Sequence, residues 1–282
     1  MRPELDELQA FYATRLGQLT RRLIQRQIRL LWPDVRGRRV LGLGYATPFL
    51  KAVVEDAERV AAVVPHNGAA AWPENDLNLV AVGADHELPI LDRSIDRALL
   101  VHALEGCDAV RPLLREVWRV LADGGEALIV VPNRRGLWCL SEATPFGQGR
   151  PFSSSQLKML LQDNLFTPQM TARAVFVPPS QSRLLIRAGV GIERVGLRWA
   201  RRFSGVLLML ARKEIYAAPV EPAADVRRLP AYATIPRVLP AAERVPNAAR
   251  VSSSRRVPRP GSERTTPARS AGYRTSGNSR DD

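Results

Sequence analysis

A histidine and a glutamate stand three residues apart at the end of one apolar segment. The segment 97–101 is followed by His102 and Glu105. Histidine is the side chain best suited to moving protons near neutral pH, and a carboxylate is the usual second acid or base. We therefore expect His102 to be the catalytic base, with Glu105 as the second candidate. The alternative is a structural histidine that is held by hydrogen bonds.

A second candidate site is a glycine-containing turn. Gly42 and Gly44 end an apolar run and are followed by Tyr45, Ala46 and Pro48. Glycine and alanine let a backbone approach a ligand closely, and proline is well tolerated in the first turn of a helix. The turn is typical of a strand that leads into a helix beside a bound ligand, although any tight turn of this kind can contain such glycines.

The elements around these residues predict an α/β fold. Short apolar runs at 39–43, 60–64, 79–82, 97–101 and 127–131 predict strands that are buried on both faces. A helix is expected between the last two strands, with Asp108 as its N-cap and Gly124 just past its end. Strand, helix and strand in alternation indicate a doubly wound, mostly parallel sheet. Ligands of such sheets bind outside the carboxyl ends of the strands.

Two further regions flank this core. Apolar residues recur at helical spacing from Leu5 to Leu19 and again from Leu23 to Leu31, and Trp32-Pro33 ends the pattern. Residues 218–282 are rich in proline, serine and arginine, a composition typical of disorder. We therefore divide the chain into an N-terminal helical extension (1–36), an α/β domain (37–217) and a disordered basic tail (218–282).

Composition restricts the partners and the compartment. The 41 basic and 28 acidic residues leave a net charge of +13, which makes nucleic acid a conceivable but not a favoured partner of the arginine-rich tail. The 2 cysteines, Cys107 and Cys139, show no spacing typical of a metal site and fit a reducing compartment. The start of the chain has no export signal, and no apolar run is long enough to span a membrane. We expect a cytoplasmic protein without a metal.

Three segments together resemble class I S-adenosylmethionine-dependent methyltransferases of the type-11-like group, in a divergent bacterial branch. These segments are the turn 40–48, the stretch Glu87-Leu88-Pro89-Ile90 with Ser94-Ile95-Asp96-Arg97, and the helix Leu114-Arg115-Glu116-Val117-Trp118-Arg119-Val120-Leu121 with Gly124-Gly125. The likeness extends over about residues 37–213. It implies a seven-stranded Rossmann-like sheet in which a late helix and the strand at 206–210 complete an antiparallel edge.

The resemblance also implies a cofactor, S-adenosylmethionine, and residues that would contact it: Gly42, Gly44, Tyr45, Ala46, Asn67 and Asp85. The chain departs from the family pattern at three of them. Gly42 replaces an acid at the end of the first strand, Asn67 follows the second strand where an acid usually binds the ribose, and Asp85 is shifted by one position. Each charge-assisted hydrogen bond that is lost weakens binding, so we expect reduced cofactor affinity.

A loop after the fifth strand is dense in glycine, proline, arginine and aromatic residues, and loops on a rigid sheet commonly contact substrates. Its candidate substrate residues are Asn133, Arg134, Trp138, Glu142, Phe146 and Arg150. The alternative is that Trp138 and Phe146 only pack over the sheet.

The resulting hypothesis is a methyltransferase acting on a small-molecule or lipid-like acceptor. Two alternatives stay open. The missing acids favour a methyltransferase-like protein that binds or regulates without catalysis, and the arginine-rich helices and tail suggest an RNA methyltransferase. The acceptor and the oligomeric state do not follow from the sequence.

Overall fold

The computed structural model describes residues 4–65, 71–73 and 77–214. Its helices are α1 (Leu5–Ala13), α2 (Arg15–Leu31), α3 (Thr47–Leu50), α4 (Val110–Val120), α5 (Ser154–Gln162) and α6 (Arg183–Trp199). Its strands are β1 (Arg39–Gly44), β2 (Arg59–Val64), β3 (Val80–Val82), β4 (Ile95–Val101), β5 (Leu121–Pro132), β6 (Phe166–Ala174) and β7 (Val206–Lys213). The predicted disordered tail and Asn67 lie outside these residues. No helix that is described is long and apolar enough to cross a bilayer.

The strands form one seven-stranded sheet in the order β3-β2-β1-β4-β5-β7-β6. Neighbouring strands are parallel except for β7, which is antiparallel to both β5 and β6. The predicted doubly wound sheet with an antiparallel edge is therefore confirmed, and the sheet is mixed. The strand β6 was not predicted, because its sequence FTPQMTARA has little apolar periodicity and lies at the edge of the sheet.

Adjacent residues of the central strands point into two separate cores. Leu99 and Leu128 pack on one face, together with α1 and α2, whereas Leu100 and Ile129 pack on the other face with α4 and α5. Both faces are thus covered by helices, which explains why the central strands are continuously apolar. The N-terminal helices share their core with the sheet.

The N-terminal helices divide at a different residue from the one expected. A single helix over 5–19 was predicted, but the break falls at Thr14. The Thr14 hydroxyl donates to the Phe11 carbonyl oxygen at 2.7 Å and accepts from the Gly17 N–H at 3.0 Å. This side chain ends one helix and caps the next, a local competition that apolar spacing does not reveal.

The prediction for α4 was wrong at both ends. The N-cap is Ala109 instead of Asp108, and it makes no side-chain capping bond. Gly124 does not follow the helix directly, because α4 ends at Val120 and Gly124 lies within β5 at a φ of +71°. Helix α5, by contrast, has a fully capped start, since Ser153 and Gln156 form a reciprocal capping box.

Helix α6 docks through small residues and one buried carboxylate. Its buried residues are Gly189, Glu193 and Gly196. Glu193 accepts the N–H groups of Val175 and Phe176 at 2.9 and 2.8 Å, and burial raises the pKa of this carboxyl group. A Cβ atom on Gly196 would lie 2.3 Å from the Phe176 ring. The helix therefore lies close to the segment that follows β6.

Two glycine substitutions in α6 test this packing. Gly196→Ala should lower the free energy of unfolding by about 1–3 kcal/mol, because the methyl group collides with Phe176. Gly191→Ala should raise it by about 0.5–1 kcal/mol, because no atom lies within 4 Å and alanine favours the helix. Urea unfolding measures both values. Equal effects of the two variants would contradict the placement of α6.

Candidate active site

The turn after β1 presses against the end of β4. The Tyr45 N–H donates to the Val101 carbonyl oxygen at 2.7 Å. Gly44 has a φ of +72°, and a Cβ atom there would lie 2.4 Å from the same oxygen. Only glycine satisfies both requirements. At Gly42 an added Cβ would lie 2.5 Å from the Leu50 side chain, so Leu50 fills the space beside the position where the family carries an acid.

Three side chains form a buried hydrogen-bonded chain at this edge, which we call the rim network: Tyr12, His102 and Glu105. His102 Nδ1 lies 2.9 Å from Glu105 Oε1, and His102 Nε2 lies 2.9 Å from the Tyr12 hydroxyl. With Glu105 ionised, Nδ1 carries the proton and Nε2 accepts from Tyr12. Burial, followed by the charges of Tyr45 and Glu105, raises the pKa of Tyr12 well above its usual range, so the phenol stays neutral.

Aromatic rings enclose the rim network. The Tyr12 ring stacks on Tyr45 with centroids 5.4 Å apart, and the Phe146 ring lies 4.7 Å from His102. His102 and Glu105 are almost fully buried, and His102 has a φ of +52°. The expected pair is therefore brought together, and Tyr12, which hydrogen-bonds His102, is the member of the rim network that lines the neighbouring cleft.

A cleft of about 890 Å³ opens beside Tyr12. It lies between the N-terminal helices and the carboxyl ends of β1 and β2, and its lining includes Tyr12, Arg21, Tyr45, Thr47, Val64 and Trp72. Arg21 Nε is buried without a hydrogen-bond partner in the described part of the chain. A carboxylate, Glu55, also lines the cleft. Apolar side chains beside the guanidinium of Arg21 and the ammonium of Lys51 are suited to a nucleoside that bears an anionic group.

The expected cofactor residues are divided by the structure. Tyr45 lines this cleft, and Gly44 shapes the turn at its edge. Ala46 is buried as the N-cap of α3, which Pro48 opens in its first turn as predicted. Asp85 is half-buried in the turn between Ala84 and Glu87 and is not among the residues that line the cleft.

The expected substrate loop is similarly divided. Asn133 is buried and donates to the Ser204 carbonyl oxygen at 2.7 Å, and the Trp138 indole donates to the Val177 carbonyl oxygen at 2.6 Å. Phe146 packs edge-on against Trp138 with centroids 5.4 Å apart. These three side chains have packing roles. Arg134, Glu142 and Arg150 are exposed.

The most family-like helix segment anchors the chain between β3 and β4. Glu116 accepts the Leu88 N–H at 2.9 Å, and Arg119 donates to the carbonyl oxygens of Leu88 and Ile90 at 3.0 and 2.9 Å. The Arg119 hydrogen bond is the main cause that lowers the pKa of Glu116. The two matching segments of the sequence thus hold each other in place.

Two residues of the site were not identified from the sequence. Tyr12 falls in the apolar stripe between Leu5 and Leu19, and Arg21 is one of several arginines in the N-terminal helices, so neither stands out in the sequence. Tyr12 lies 90 positions from His102. The only available sign was a polar atom on an otherwise apolar face.

Comparison with known proteins shows a matching domain and a shared fold. Residues 35–129 match the family model described as a methyltransferase domain. The fold is similar to that of an S-adenosylmethionine-dependent methyltransferase from Thermotoga maritima, with 16% identity and a TM-score of 0.54 over 74% of this chain and 96% of that chain. A Haloferax volcanii chain solved with the methyltransferase activator Trm112 has 19% identity and a TM-score of 0.53 over 76% of this chain and 98% of that chain. No curated protein sequence matches.

The sheet has the fold of the S-adenosylmethionine-dependent methyltransferase it is compared with, and residues 35–129 match a methyltransferase domain. The family sequence is carried by residues 35–129, which extend from just before β1 into β5.

The anchor at Glu116 gives a pH-dependent prediction. A lowered carboxyl pKa adds stability above pH 4.5, the ordinary value, and this part is lost as the pH falls through the lower value in the fold. Glu116→Gln should therefore lower the free energy of unfolding by about 1–2 kcal/mol at neutral pH. The difference from wild type should shrink at about pH 3.5.

Urea unfolding at both pH values measures this difference. Glu142→Gln, at an exposed position, is the control and should change stability by no more than about 0.5 kcal/mol. A difference at Glu116 that stays constant with pH would contradict the proposed anchor.

Proposed function

We propose that this chain transfers a methyl group from S-adenosylmethionine to a small-molecule or lipid-like acceptor, and that the cofactor binds in the cleft beside the Gly44 turn. The observation that carries the proposal is the position of this cleft at the carboxyl ends of β1 and β2 within the methyltransferase domain. Ligands of open α/β sheets bind at this edge.

The residues of the cleft fit the cofactor. Val64 and Trp72 offer apolar surface for an adenine ring, and the guanidinium of Arg21, which lines the cleft, is a candidate partner for the carboxylate of the methionine part. Glu55 is a candidate for the contacts that the missing acids make elsewhere in the family. Asp85 remains a candidate only if the chain around it moves toward the cleft.

When bound, S-adenosylmethionine supplies an electrophilic methyl group on its sulfonium. The protein's part is to orient the acceptor and remove its proton. Glu105 holds the Nδ1 proton of His102, which leaves Nε2 free to accept. The Tyr12 oxygen takes the proton of the acceptor while the Tyr12 proton moves to Nε2. The carboxylate of Glu105 then stabilises the imidazolium, as in other carboxylate–histidine–hydroxyl arrangements.

A second function, binding without catalysis, is favoured by one specific observation. Tyr12 covers Tyr45 and bonds His102, so its ring closes the rim between β1 and β4. If this closure is permanent, the cleft binds a nucleoside-like ligand that never meets the rim network. The two functions differ in what removal of the Tyr12 side chain does.

Cofactor binding is tested through Arg21. Arg21→Met should weaken the binding of S-adenosylmethionine by about tenfold or more, because a charge-assisted hydrogen bond is lost. Isothermal titration with S-adenosylmethionine and S-adenosylhomocysteine measures the affinities. Arg22→Met, at the neighbouring exposed position, is the matched control and should leave them unchanged. Lack of binding to wild-type protein at millimolar ligand would refute the proposal.

The relay is tested by Tyr12→Phe, which removes the hydroxyl and keeps the ring. Transfer of tritium from labelled S-adenosylmethionine to the low-molecular-weight fraction of a cell extract should fall by about 100-fold or more, with cofactor affinity unchanged. Glu105→Gln should also lower the rate and alter the dependence of the rate on pH. If wild-type protein instead transfers no tritium and Tyr12→Ala raises cofactor affinity, the closed binding module is correct.

A further inference from the structure

The outward face of α6 exposes large apolar side chains. Leu184 is 79% exposed, Val195 61% and Trp199 78%. Phe203, four residues beyond Trp199, is 62% exposed. Single exposed apolar residues are common, but a set of this size along one helix requires an explanation.

These residues form a stripe beside a stripe of arginines. At 3.6 residues per turn, Leu184, Ala188, Val195 and Trp199 fall within an arc of about 60°, and the exposed residues Arg187, Arg194 and Arg198 fall within a neighbouring arc of about 40°. The opposite side of the helix carries Gly189, Glu193 and Gly196, which are buried. The only acidic residue in the helix is therefore hidden, and its outward face is basic and apolar.

The stripe continues towards the loop that follows β5. The turn after α6 is tied to this loop, because Asn133 Nδ2 donates to the Arg202 carbonyl oxygen at 3.1 Å. The loop exposes Leu137 and Leu140, at 53% and 79%. We call the outward residues of α6, Phe203, Leu137 and Leu140 the docking face. It adjoins the carboxyl end of β5, on the edge of the sheet that holds the candidate active site.

From this arrangement we propose that the docking face binds the surface of a bilayer that contains anionic phospholipids. A helix that lies in a membrane interface places apolar and aromatic side chains among the acyl chains, and its arginines reach the head groups. The exposed arginines complement a negative surface. RNA would engage the same arginines but would leave Leu184 and Val195 in water, so a bilayer accounts for more of the face. This inference does not depend on methyl transfer.

The test uses the full chain with two kinds of vesicle, phosphatidylcholine alone and phosphatidylcholine with about one third phosphatidylglycerol. Co-sedimentation should show binding to the anionic vesicles, much weaker binding to the neutral ones, and a loss of binding as salt is raised. Binding to neither vesicle, or α6-dependent binding to a single-stranded RNA oligonucleotide but not to vesicles, would overturn the proposal.

Charge and apolar variants locate the surface. Arg194→Glu with Arg198→Glu should weaken binding by at least about 30-fold, because each basic residue near an anionic surface contributes about fivefold. Trp199→Ala with Phe203→Ala should weaken it by about tenfold or more. The matched controls are Arg59→Glu with Arg115→Glu, which changes the net charge equally, and Leu91→Ala, all at exposed positions away from α6. Equal losses in variants and controls would show binding through net charge alone.

Trp199 provides a direct readout that does not depend on destabilising variants. It is 78% exposed, whereas Trp32 and Trp138 are buried. Its fluorescence should shift to shorter wavelength on anionic vesicles and be quenched by brominated acyl chains. Trp199→Phe should abolish this change and retain most of the binding. An unchanged shift in Trp199→Phe would contradict insertion of α6.

Discussion

The candidate site depends on the contact between the turn after β1 and the end of β4. The Tyr45 N–H binds the Val101 carbonyl oxygen, and Gly44 leaves no room for a side chain between them. This contact places Tyr45 under the Tyr12 ring and sets His102 immediately after the bonded carbonyl. A larger residue at Gly44 would separate the two strand ends and with them the groups of the rim network. The chemistry at this edge is therefore controlled by backbone geometry first and by side chains second.

Much of the fold could be predicted from the sequence, because central strands buried on two faces leave continuous apolar runs. The runs ending near Leu43, Val64 and Val101 all became strands of the sheet. The edge strand β6 was missed because Pro168 interrupts its register and few of its residues are buried. The helix break at Thr14 was missed because one hydroxyl decides it. Local bonds of this kind have no periodic signature.

The candidate site was less accessible to prediction, because it joins residues that are distant in the chain. His102 and Glu105 were adjacent enough to be paired from the sequence, but their link to Tyr12 exists only in three dimensions. Residue type also does not separate substrate contacts from packing. Asn133 and Trp138 are polar or aromatic residues in a loop, which is typical of substrate contacts, yet each satisfies a buried carbonyl oxygen of a neighbouring segment. Their role is to hold the loop on the sheet.

Helix α6 is held by glycines, one buried carboxylate and the half-buried Ile186 and Ile192, so the residues that fix its position are separate from those that face outward. Substitutions on its outer side do not disturb the contacts with Phe176 and leave the sheet intact. This division leaves the outer face free to change without altering the residues that hold the helix. The preference of that surface for one environment over another can drift among descendants without a compensating change in the core.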